Sequence, residues 1–223
     1  MRYGIAGKHR ERRLWIGHAT YFGTQGISAA TLRSVRLDVR KLRSDERRLA
    51  AGLTARAFRD NPTSVAMFGD EPLERFFRMQ LLWTAFFRNP PQATRGVFYQ
   101  GCMLGVASAA SPGQCIGHRL KPVQDSDEPP AGDPARQAYL QGIYARHDLP
   151  EAHHHIGPVA VEPNFQGRGI GSALMRGLVA SLDAPSWFET DTELNVRFYT
   201  ALGYTVVHKE DVFGLPLWFM RRG

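Results

Sequence analysis

The chain has 223 residues, which suits one sizeable domain or two small ones, and its 43% hydrophobic and 22% charged residues are ordinary for a globular protein. No apolar run approaches the roughly 20 residues of a membrane-spanning helix, and the first residues lack the apolar segment of a secretory signal. Two cysteines, Cys102 and Cys115, are too few for a disulfide framework, so we expect a reduced, cytoplasmic protein. Both sit among small and apolar residues, and we expect buried or partly buried thiols with no histidine at nucleophile or zinc spacing nearby in the sequence.

Positive charge is concentrated near the start of the chain. The formal net charge is +7, and ten of the 28 lysines and arginines lie within residues 2–43. Residues 1–34 show no sustained periodicity, so we expect a basic, solvated extension there and a single domain over residues 35–223. A basic segment could touch nucleic acid, but no helix-turn-helix or base-stacking motif accompanies it, and we do not expect nucleic-acid binding.

Strand and helix patterns alternate through the domain, which predicts an α/β fold with a mixed sheet. The predicted elements are, in chain order, a strand over 35–39, a helix from an N-cap at Ser44 to about Arg59, a helix over 72–87, a hairpin over 97–106, a polar insert over 119–150 with a helix near 135–146, a strand over 156–161, a helix over 171–182, a strand over 187–190, a helix over 195–202 and a hairpin over 205–221. The apolar stripes predicted for the first two helices comprise Leu49, Leu53 and Ala57, then Leu73, Phe76, Phe77, Leu81, Leu82 and Phe86. We expect the aromatic residues of the second helix to belong to the core, with Trp83 or Phe87 able to shape a groove.

Residues Gln166–Gly171 form a glycine-rich turn between a predicted strand and a predicted helix. Glycine at every second position leaves the backbone uncovered, so several amide N–H groups can point into one concavity at the helix start. The helix dipole adds positive charge there, which suits a pyrophosphate, and Arg168 can add a side-chain contact. The turn lacks the lysine of a Walker loop and the spacing of a dinucleotide fingerprint. A tight turn without a ligand is the alternative interpretation.

Three blocks in chain order resemble the GNAT superfamily of N-acetyltransferases. Gln166–Gly171 matches its Gln/Arg-x-x-Gly-x-Gly/Ala signature, Val159–Pro163 resembles its fourth strand and following turn, and Asn195–Tyr204 resembles its Asn-x-x-Phe-Tyr-x-x-x-Gly-Phe segment with Tyr as the last residue. The stretch Trp187–Arg222 looks closest to the puromycin N-acetyltransferase-like branch. The resemblance implies a mixed, mostly antiparallel sheet of six or seven strands, flanked by helices and splayed at the cofactor.

The resemblance also implies acetyl-CoA as cosubstrate and a role for each matching position. The residues that it implies in cofactor binding are Val159, Ala160, Val161, Gln166, Gly167, Arg168, Gly169, Ile170, Gly171, Ser172 and Asn195. The backbone of Val159 and Val161 is implied to pair with the pantetheine arm by strand addition, and Gly167–Ser172 to hold the pyrophosphate. Tyr199 matches the position that protonates the leaving thiolate, and a tyrosine hydroxyl keeps its proton at neutral pH. A packed aromatic with a satisfied hydroxyl is the alternative for Tyr199.

An amine acceptor must lose a proton before it attacks a thioester, so the chemistry needs a base. Strand alternation places His153 and His155 on one face, and His155 falls where several superfamily members place a base glutamate. A histidine with a pKa of about 6.5 suits that role, although polar residues at the start of a strand are an equal alternative. Glu189 lies where it could face the acceptor pocket and bind a cationic amine, and a surface or hydrogen-bonded carboxylate is the alternative. We expect no metal site at the histidine triplet, because consecutive strand residues point to opposite faces.

The sequence therefore predicts an acetyl-CoA-dependent N-acetyltransferase that moves acetyl directly to a small-molecule amine in a ternary complex, because no cysteine or serine stands at a recognisable nucleophile position. Two alternatives remain: a non-catalytic acyl-CoA-binding module, and an acetyltransferase acting on a protein or nucleic-acid-associated partner. We expect no membrane partner. The superfamily is compatible with a homodimer, for which the sequence carries no signal.

Overall fold

The computed structural model describes residues 36–115 and 133–223. The predicted basic extension over residues 1–34, the predicted start of the first strand at Val35, and residues 119–132 of the predicted insert lie outside this part of the chain. The domain boundary at residue 34 therefore stays a prediction. Within the described residues no helix is both long and apolar enough to cross a membrane.

A seven-stranded sheet forms the centre of the described chain. Its strands are β1 Asp38–Lys41, β2 Ala93–Tyr99, β3 Cys102–Ala110, β4 His154–Val161, β5 Ser186–Thr190, β6 Thr205–Val212 and β7 Leu215–Arg222. The spatial order is β1-β2-β3-β4-β5-β7-β6, and every neighbouring pair is antiparallel except β4 and β5, which are parallel. The predicted mixed, mostly antiparallel sheet is confirmed.

Six α-helices flank the sheet within the described residues. They are α1 Arg47–Phe58, α2 Pro62–Phe68, α3 Pro72–Arg88, α4 Asp133–Arg146, α5 Ile170–Val179 and α6 Glu193–Thr200. Five of them match predicted helices, but α5 ends at Val179, three residues earlier than predicted. Helix α2 was not predicted, because the pair Asn61-Pro62 was interpreted only as the end of α1. Proline also fits the first position of a helix, and Pro62 holds that position in α2.

Two tight turns close the predicted hairpins. Gln100 and Gly101 connect β2 to β3 with φ of 48° and 80°, and Phe213 and Gly214 connect β6 to β7 with φ of 57° and 75°. Two consecutive residues with positive φ give the turn whose twist matches that of the flanking strands. Both hairpins are therefore confirmed, and the strands of the second extend further along the chain than predicted.

The helices form one layer on each face of the sheet. Helix α5 packs against β1 to β4, where Leu174, Met175 and Leu178 join Val97 and Ile156 in one apolar core. Helices α1 to α4 cover the other face, where a second set of buried residues includes Trp187 and Phe219 from the sheet. Neighbouring residues of one strand thus serve opposite cores, as strand alternation requires.

The apolar faces predicted for α1 and α3 are partly wrong. Leu49 of α1 is exposed, as are the three α3 residues Leu73, Phe77 and Leu81. The buried residues of the two helices are Ala50, Ala51, Leu53, Thr54 and Ala55 in α1, and Arg75, Met79 and Phe87 in α3. Helix α3 is apolar around much of its circumference, so periodicity alone does not choose the side that faces the core.

Arg75 is buried because it connects three helices. Its guanidinium donates hydrogen bonds to the carbonyl of Arg59 at 2.9 Å, to the carbonyl of Gly69 at 2.8 Å and to Oδ1 of Asp60 at 2.9 Å. These partners lie in the α1–α2 and α2–α3 connections. A single arginine therefore satisfies the polar groups at both connections, which explains how a charge is tolerated there.

Glu46 joins β1 to the start of α1, and Ser44 is not the helix cap that the sequence predicts. Ser44 lies inside a turn of 3₁₀ helix over Ser44–Glu46, and the backbone amide of Arg43 donates instead to the Glu46 carboxylate at 2.9 Å. Arg40 of β1 donates two further hydrogen bonds to the same carboxylate, at 2.6 and 2.9 Å. The Arg40 guanidinium lowers the pKa of Glu46 from 4.5 to about 2.

Glu46→Gln is expected to lower the free energy of unfolding at neutral pH by about 1–3 kcal/mol, since it removes a charge-assisted pair from a buried carboxylate. Because the pKa of Glu46 is lowered in the folded state, its stabilisation is complete above the unfolded pKa of 4.5 and disappears as the pH falls through about 2. Urea unfolding of both proteins across this range measures the difference. Glu74→Gln is the matched control, because the exposed Glu74–Arg78 pair is worth at most about 1 kcal/mol. A difference between wild type and Glu46→Gln that stays constant from pH 7 to about pH 2 would contradict this assignment.

Candidate active site

Strands β4 and β5 separate after two residue pairs. They are hydrogen-bonded at His154↔Ser186 and His155↔Trp187 and diverge beyond that point. The amide of Glu162, just after β4, donates to the carbonyl of Leu104 on β3 at 2.9 Å. Backbone groups alternate in direction along a strand, so those of Val159 and Val161 point away from β3 and into the gap. The sheet thus contains an unpaired strand edge in its middle, as predicted for a splayed sheet.

A cavity of about 1280 Å³ opens at this gap. One end is lined by the glycine-rich turn and the start of α5, and the other end is lined by α2, α3 and α4. Tyr199 of α6 and Glu189 of β5 line the same cavity. The predicted cofactor and acceptor regions are therefore parts of one continuous space.

The glycines of the turn are needed for different reasons. Gly167 and Gly169 have φ of 72° and 83°, in the left-handed region that non-glycine residues rarely adopt, and Gly169 is the N-cap of α5. A Cβ atom at either position would have no neighbour within 4 Å, so backbone conformation rather than space requires glycine there. At Gly171 a Cβ would lie 3.3 Å from the Phe198 ring, so close packing is the constraint. The result is an uncovered helix start that faces the cavity and suits an anion.

Most of the residues that the sequence implies in cofactor binding lie on this cavity. They are Val159, Ala160, Val161, Gln166, Gly167, Gly169, Gly171, Ser172 and Asn195. Two others lie outside its described lining: Ile170 is buried in the core, and the guanidinium of Arg168 lies over the Phe165 ring, 5.2 Å from its centroid. The side chain of Gln166 donates to the carbonyl of Val161 at 3.2 Å and so connects the turn to β4.

Tyr199 and Asn195 project into the cavity from α6. Tyr199 is 7% exposed, and its ring contacts that of Phe188 with centroids 4.1 Å apart. Burial raises the pKa of Tyr199, and nearby Tyr204 and Glu189 raise it further, so its hydroxyl keeps its proton throughout the physiological range. The side-chain amide of Asn195 donates to Oγ1 of Thr190 at 3.0 Å, which fixes its orientation.

Two carboxylates make the other end of the cavity acidic. Glu189 was predicted to face it, whereas Asp191 was not identified from the sequence. Oδ2 of Asp191 accepts a hydrogen bond from the amide of Thr63 at 3.0 Å, at the start of α2. Burial and these two carboxylates raise the pKa of Tyr144, which projects from α4. No lysine or arginine of the described chain lines the cavity, so only His155, which pairs with Glu189, opposes the negative charge at this end, and this end suits a cation.

His155 lies between Glu189 and Cys115. Its Nε2 is 2.9 Å from Oε2 of Glu189, and its Nδ1 is 2.7 Å from Sγ of Cys115. Burial alone would lower the pKa of His155, but the Glu189 carboxylate and Cys115 together raise it to about 10. His154, on the opposite face, pairs with Asp183 at 2.8 Å, so the predicted alternation of the triplet is confirmed.

Sequence reasoning found no partner for either cysteine, and it missed this contact. Cys115 is 40 residues from His155 in the chain, but the register places Ala110, at the end of β3, opposite His155. The segment after β3 therefore passes beside the start of β4. The expectation of a buried thiol is confirmed for Cys115 and wrong for Cys102, which is exposed at the start of β3.

The end of the cavity that was predicted to hold the acceptor is lined by helices whose sequences carry no recognisable motif. Trp83 and Phe86 of α3 line it, as do Gln137 and Gln141 of α4. Phe87, predicted with Trp83 as a residue able to shape the groove, is instead buried in the core.

The seven-stranded sheet, with parallel β4 and β5 splayed beside a glycine-rich helix start, has the GNAT acetyltransferase fold. Residues 136–206, which run from α4 to the start of β6, match the family model described as an acetyltransferase (GNAT) domain. The match includes β4, the glycine-rich turn and Tyr199.

Three solved structures described as acetyltransferases have a similar fold. One, described as histone acetyltransferase HPA2 and related acetyltransferase from Corynebacterium glutamicum, has 16% sequence identity and a TM-score of 0.63, covering 84% of this chain and 96% of that one. A polyamine N-acetyltransferase from Drosophila melanogaster has 13% identity and a TM-score of 0.53, covering 83% of this chain and 99% of that one. The ribosomal-protein-S18-alanine N-acetyltransferase from Escherichia coli has 13% identity and a TM-score of 0.51, covering 84% and 93%. At these identities the similarity shows the fold.

Proposed function

We propose that the protein is an acetyl-CoA-dependent N-acetyltransferase that transfers acetyl directly to a small cationic amine. One observation carries this proposal: the unpaired edge of β4, the uncovered start of α5, Tyr199 and two carboxylates all line the same cavity. An acyl carrier and an amine can then meet inside one space. Bringing both reactants together in this way supplies much of the catalytic effect in bisubstrate reactions.

The cofactor would lie along β4 and end at α5. The backbone of Val159 and Val161 offers hydrogen bonds to the amide groups of the pantetheine arm, as an added strand would. The pyrophosphate would accept hydrogen bonds from the amides of Gly167–Ser172, where the helix dipole favours negative charge. Arg168 beside the turn contributes positive charge, and Asn195 borders the thioester end.

The reaction forms one bond and breaks one. The amine nitrogen attacks the thioester carbonyl carbon, the new C–N bond forms, and the C–S bond breaks as the CoA thiolate leaves. In our proposal Tyr199 gives its proton to the thiolate and recovers one from solvent. The ammonium loses a first proton to Glu189 before attack and a second to solvent afterwards, and Glu189 then passes its proton to solvent, so the products are an amide, CoA and one released proton.

Glu189 is the better candidate for the base. Both ring nitrogens of His155 are already within hydrogen-bond distance of other groups, Sγ of Cys115 and Oε2 of Glu189. We therefore propose that His155 holds the Glu189 carboxylate in place, which modifies the role suggested by its sequence position. Asp191 would add a second negative charge for the incoming ammonium.

The charges of the cavity and one structural neighbour support a small amine as acceptor. The Drosophila enzyme is described as forming N-acetylagmatine, a product of a cationic amine. We retain the resemblance of Trp187–Arg222 to the puromycin N-acetyltransferase-like branch as a proposal, and we propose a cytoplasmic location, which two cysteines without a disulfide support.

Isothermal titration with acetyl-CoA and with CoA tests the cofactor site. Wild type is expected to bind both, and Gly169→Trp is expected to weaken binding at least roughly tenfold, since it blocks the helix start and strains its N-cap. Gly101→Trp is the matched control, because Gly101 has φ of 80° and an equally open Cβ direction but lies in the β2–β3 turn. Equal weakening by both variants would mean that strain, not ligand contact, is responsible. No binding by wild type would end the proposal, and binding without turnover of any cationic amine would favour an acyl-CoA-binding module.

A further inference from the structure

We infer that Cys115, Asp148 and His153 form a buried site for a zinc-type divalent ion. Cys115 follows β3, while Asp148 and His153 lie in the connection between α4 and β4. This cluster lies outside the described lining of the cavity, and nothing in the proposed transfer reaction uses these three side chains.

The donor atoms already converge. Nε2 of His153 lies 3.0 Å from Oδ1 of Asp148, and Sγ of Cys115 lies 3.5 Å from the same oxygen. One donor atom from each residue can be chosen so that all three lie within 4.8 Å of one another. Zinc binds sulfur, nitrogen and oxygen at about 2.0–2.3 Å, so tetrahedral donors are separated by roughly 3.5 Å. The observed spacing needs only small side-chain adjustments to reach that geometry.

Burial makes a bound cation favourable. Cys115 and His153 are both fully buried, and the Asp148 side chain is 6% exposed. A carboxylate and a thiol side by side repel when both are ionised, and each anion is costly to bury without a compensating charge. A divalent ion offsets both negative charges at once and keeps the histidine neutral. A thiolate, an imidazole and a carboxylate are ligands that suit zinc, whereas calcium and magnesium prefer oxygen ligands alone.

The surrounding contacts orient the ligands as metal sites require. Nδ1 of His153 lies 2.9 Å from the backbone carbonyl of Glu151, to which its N–H can donate. With the proton on Nδ1, the lone pair of Nε2 can face an ion bound beside Asp148. Nδ1 of His155, 2.7 Å from Sγ of Cys115, can donate to a metal-bound thiolate. The three protein ligands leave a fourth position for a water molecule.

The argument from the sequence against three consecutive histidine ligands still holds, because only alternate members of the triplet take part. His153 supplies a ligand, His154 faces the other side of the sheet, and His155 contacts the thiolate. The remaining ligands come from positions 115 and 148, which no local spacing motif connects. His155 also contacts Glu189, so the ion would be linked through one imidazole to the acceptor end of the cavity.

A second cluster, His147, His208 and Glu210, is a weaker candidate and serves as a control. Glu210 already pairs with the guanidinium of Arg146, so a cation there would compete with a fixed positive charge. His208 is exposed and stacks on His147 with ring centroids 3.9 Å apart. An ion at this cluster would not involve sulfur, which makes the two sites spectroscopically distinct.

The full chain, stripped of metal with a chelator, is titrated with Zn²⁺ against a chromophoric competitor and separately with Co²⁺. We expect one Zn²⁺ per chain and a thiolate-to-cobalt charge-transfer band. Cys115→Ser and the nearly isosteric Asp148→Asn are expected to lower zinc affinity at least roughly a hundredfold, since even outer contacts of metal ligands are worth 10–100-fold. Cys102→Ser and His208→Ala are the matched controls and are expected to leave both readouts unchanged.

Each outcome decides the assignment without an activity measurement, so it is independent of the proposed transfer reaction. Absence of stoichiometric zinc on the wild-type chain overturns it. Unchanged affinity in both Cys115→Ser and Asp148→Asn overturns it, and so does loss of zinc in His208→Ala, which would place the ion at the second cluster. If Cys115→Ser does not fold, Asp148→Asn and the cobalt spectrum of wild type decide the question.

Discussion

Tyr199→Phe is expected to lower kcat on the order of 10²-fold to 10⁴-fold while the affinity for CoA stays nearly the same, because it removes one hydroxyl proton and little else. The ring would keep its contacts with Phe188 and Phe198, so the cavity wall should be unchanged. Because the pKa of Tyr199 is raised, the wild-type residue carries its proton throughout the physiological pH range. Steady-state kinetics with the fastest cationic amine acceptor, together with CoA titration, measures both quantities.

The matched control for this variant is Tyr204→Phe. Tyr204 is as buried as Tyr199 and its ring contacts Phe188, but its hydroxyl pairs with Oγ of Ser186 at 2.8 Å and does not border the described cavity. Tyr204→Phe should lower the free energy of unfolding somewhat and leave kcat unchanged. Lost CoA affinity with unchanged turnover in Tyr199→Phe would contradict the role of acid.

Glu189→Gln is expected to lower kcat by roughly 10²-fold to 10⁴-fold and to raise KM for the amine, because it removes both the base and one of two negative charges at the acceptor end. Acetyl-CoA affinity should be unaffected, since Glu189 belongs to β5 whereas the proposed CoA contacts lie on β4 and the glycine-rich turn. The measurement is the same kinetic comparison, with thermal unfolding of each variant as a check on folding.

Glu162→Gln provides the matched control for the carboxylate. Glu162 directly follows β4 and accepts from the Arg56 guanidinium at 2.6 Å, outside the described lining of the cavity. It should therefore change neither kcat nor the KM for the amine. If Glu189→Gln keeps wild-type kcat and changes only the KM, Glu189 binds the ammonium but is not the base.

The glycine-rich half of the site was predictable from the sequence because its signals are local. Positive φ at Gly167 and Gly169 needs glycine, a helix start needs uncovered amides, and the spacing to Asn195 reflects one helix and one strand between them. Each of these requirements depends on a few neighbouring residues. The pairing of strands in the sheet was predictable for the same reason, since tight turns such as Gln100–Gly101 determine which strands pair.

The acceptor half was not predictable in the same way. Asp191 accepts a hydrogen bond from the start of α2, more than a hundred residues earlier in the chain, and Cys115 contacts His155, which is 40 residues away in sequence. No periodicity connects such positions, and only the packed fold brings them together. The prediction of the buried face of α3 was wrong for a related reason. Leu73 and Phe77 are as apolar as the residues that face the core, so tertiary packing determines which side of the helix is buried.

The unpaired edge of β4 has a consequence for association between chains. A bare strand edge is a template for pairing with another molecule, and proteins protect such edges with charge, bulges or short length. The two outer edges of this sheet carry such protection: β1 has four residues, three of them charged, and β6 is interrupted by a bulge between Val206 and His208. The inner edge at Val159 and Val161 carries no charged side chain. It is protected by its position, because a β-strand of another molecule cannot enter a cavity that helices cover on one side. The same strand edge therefore remains open to a narrow, flexible ligand and closed to a second protein chain that could aggregate with it.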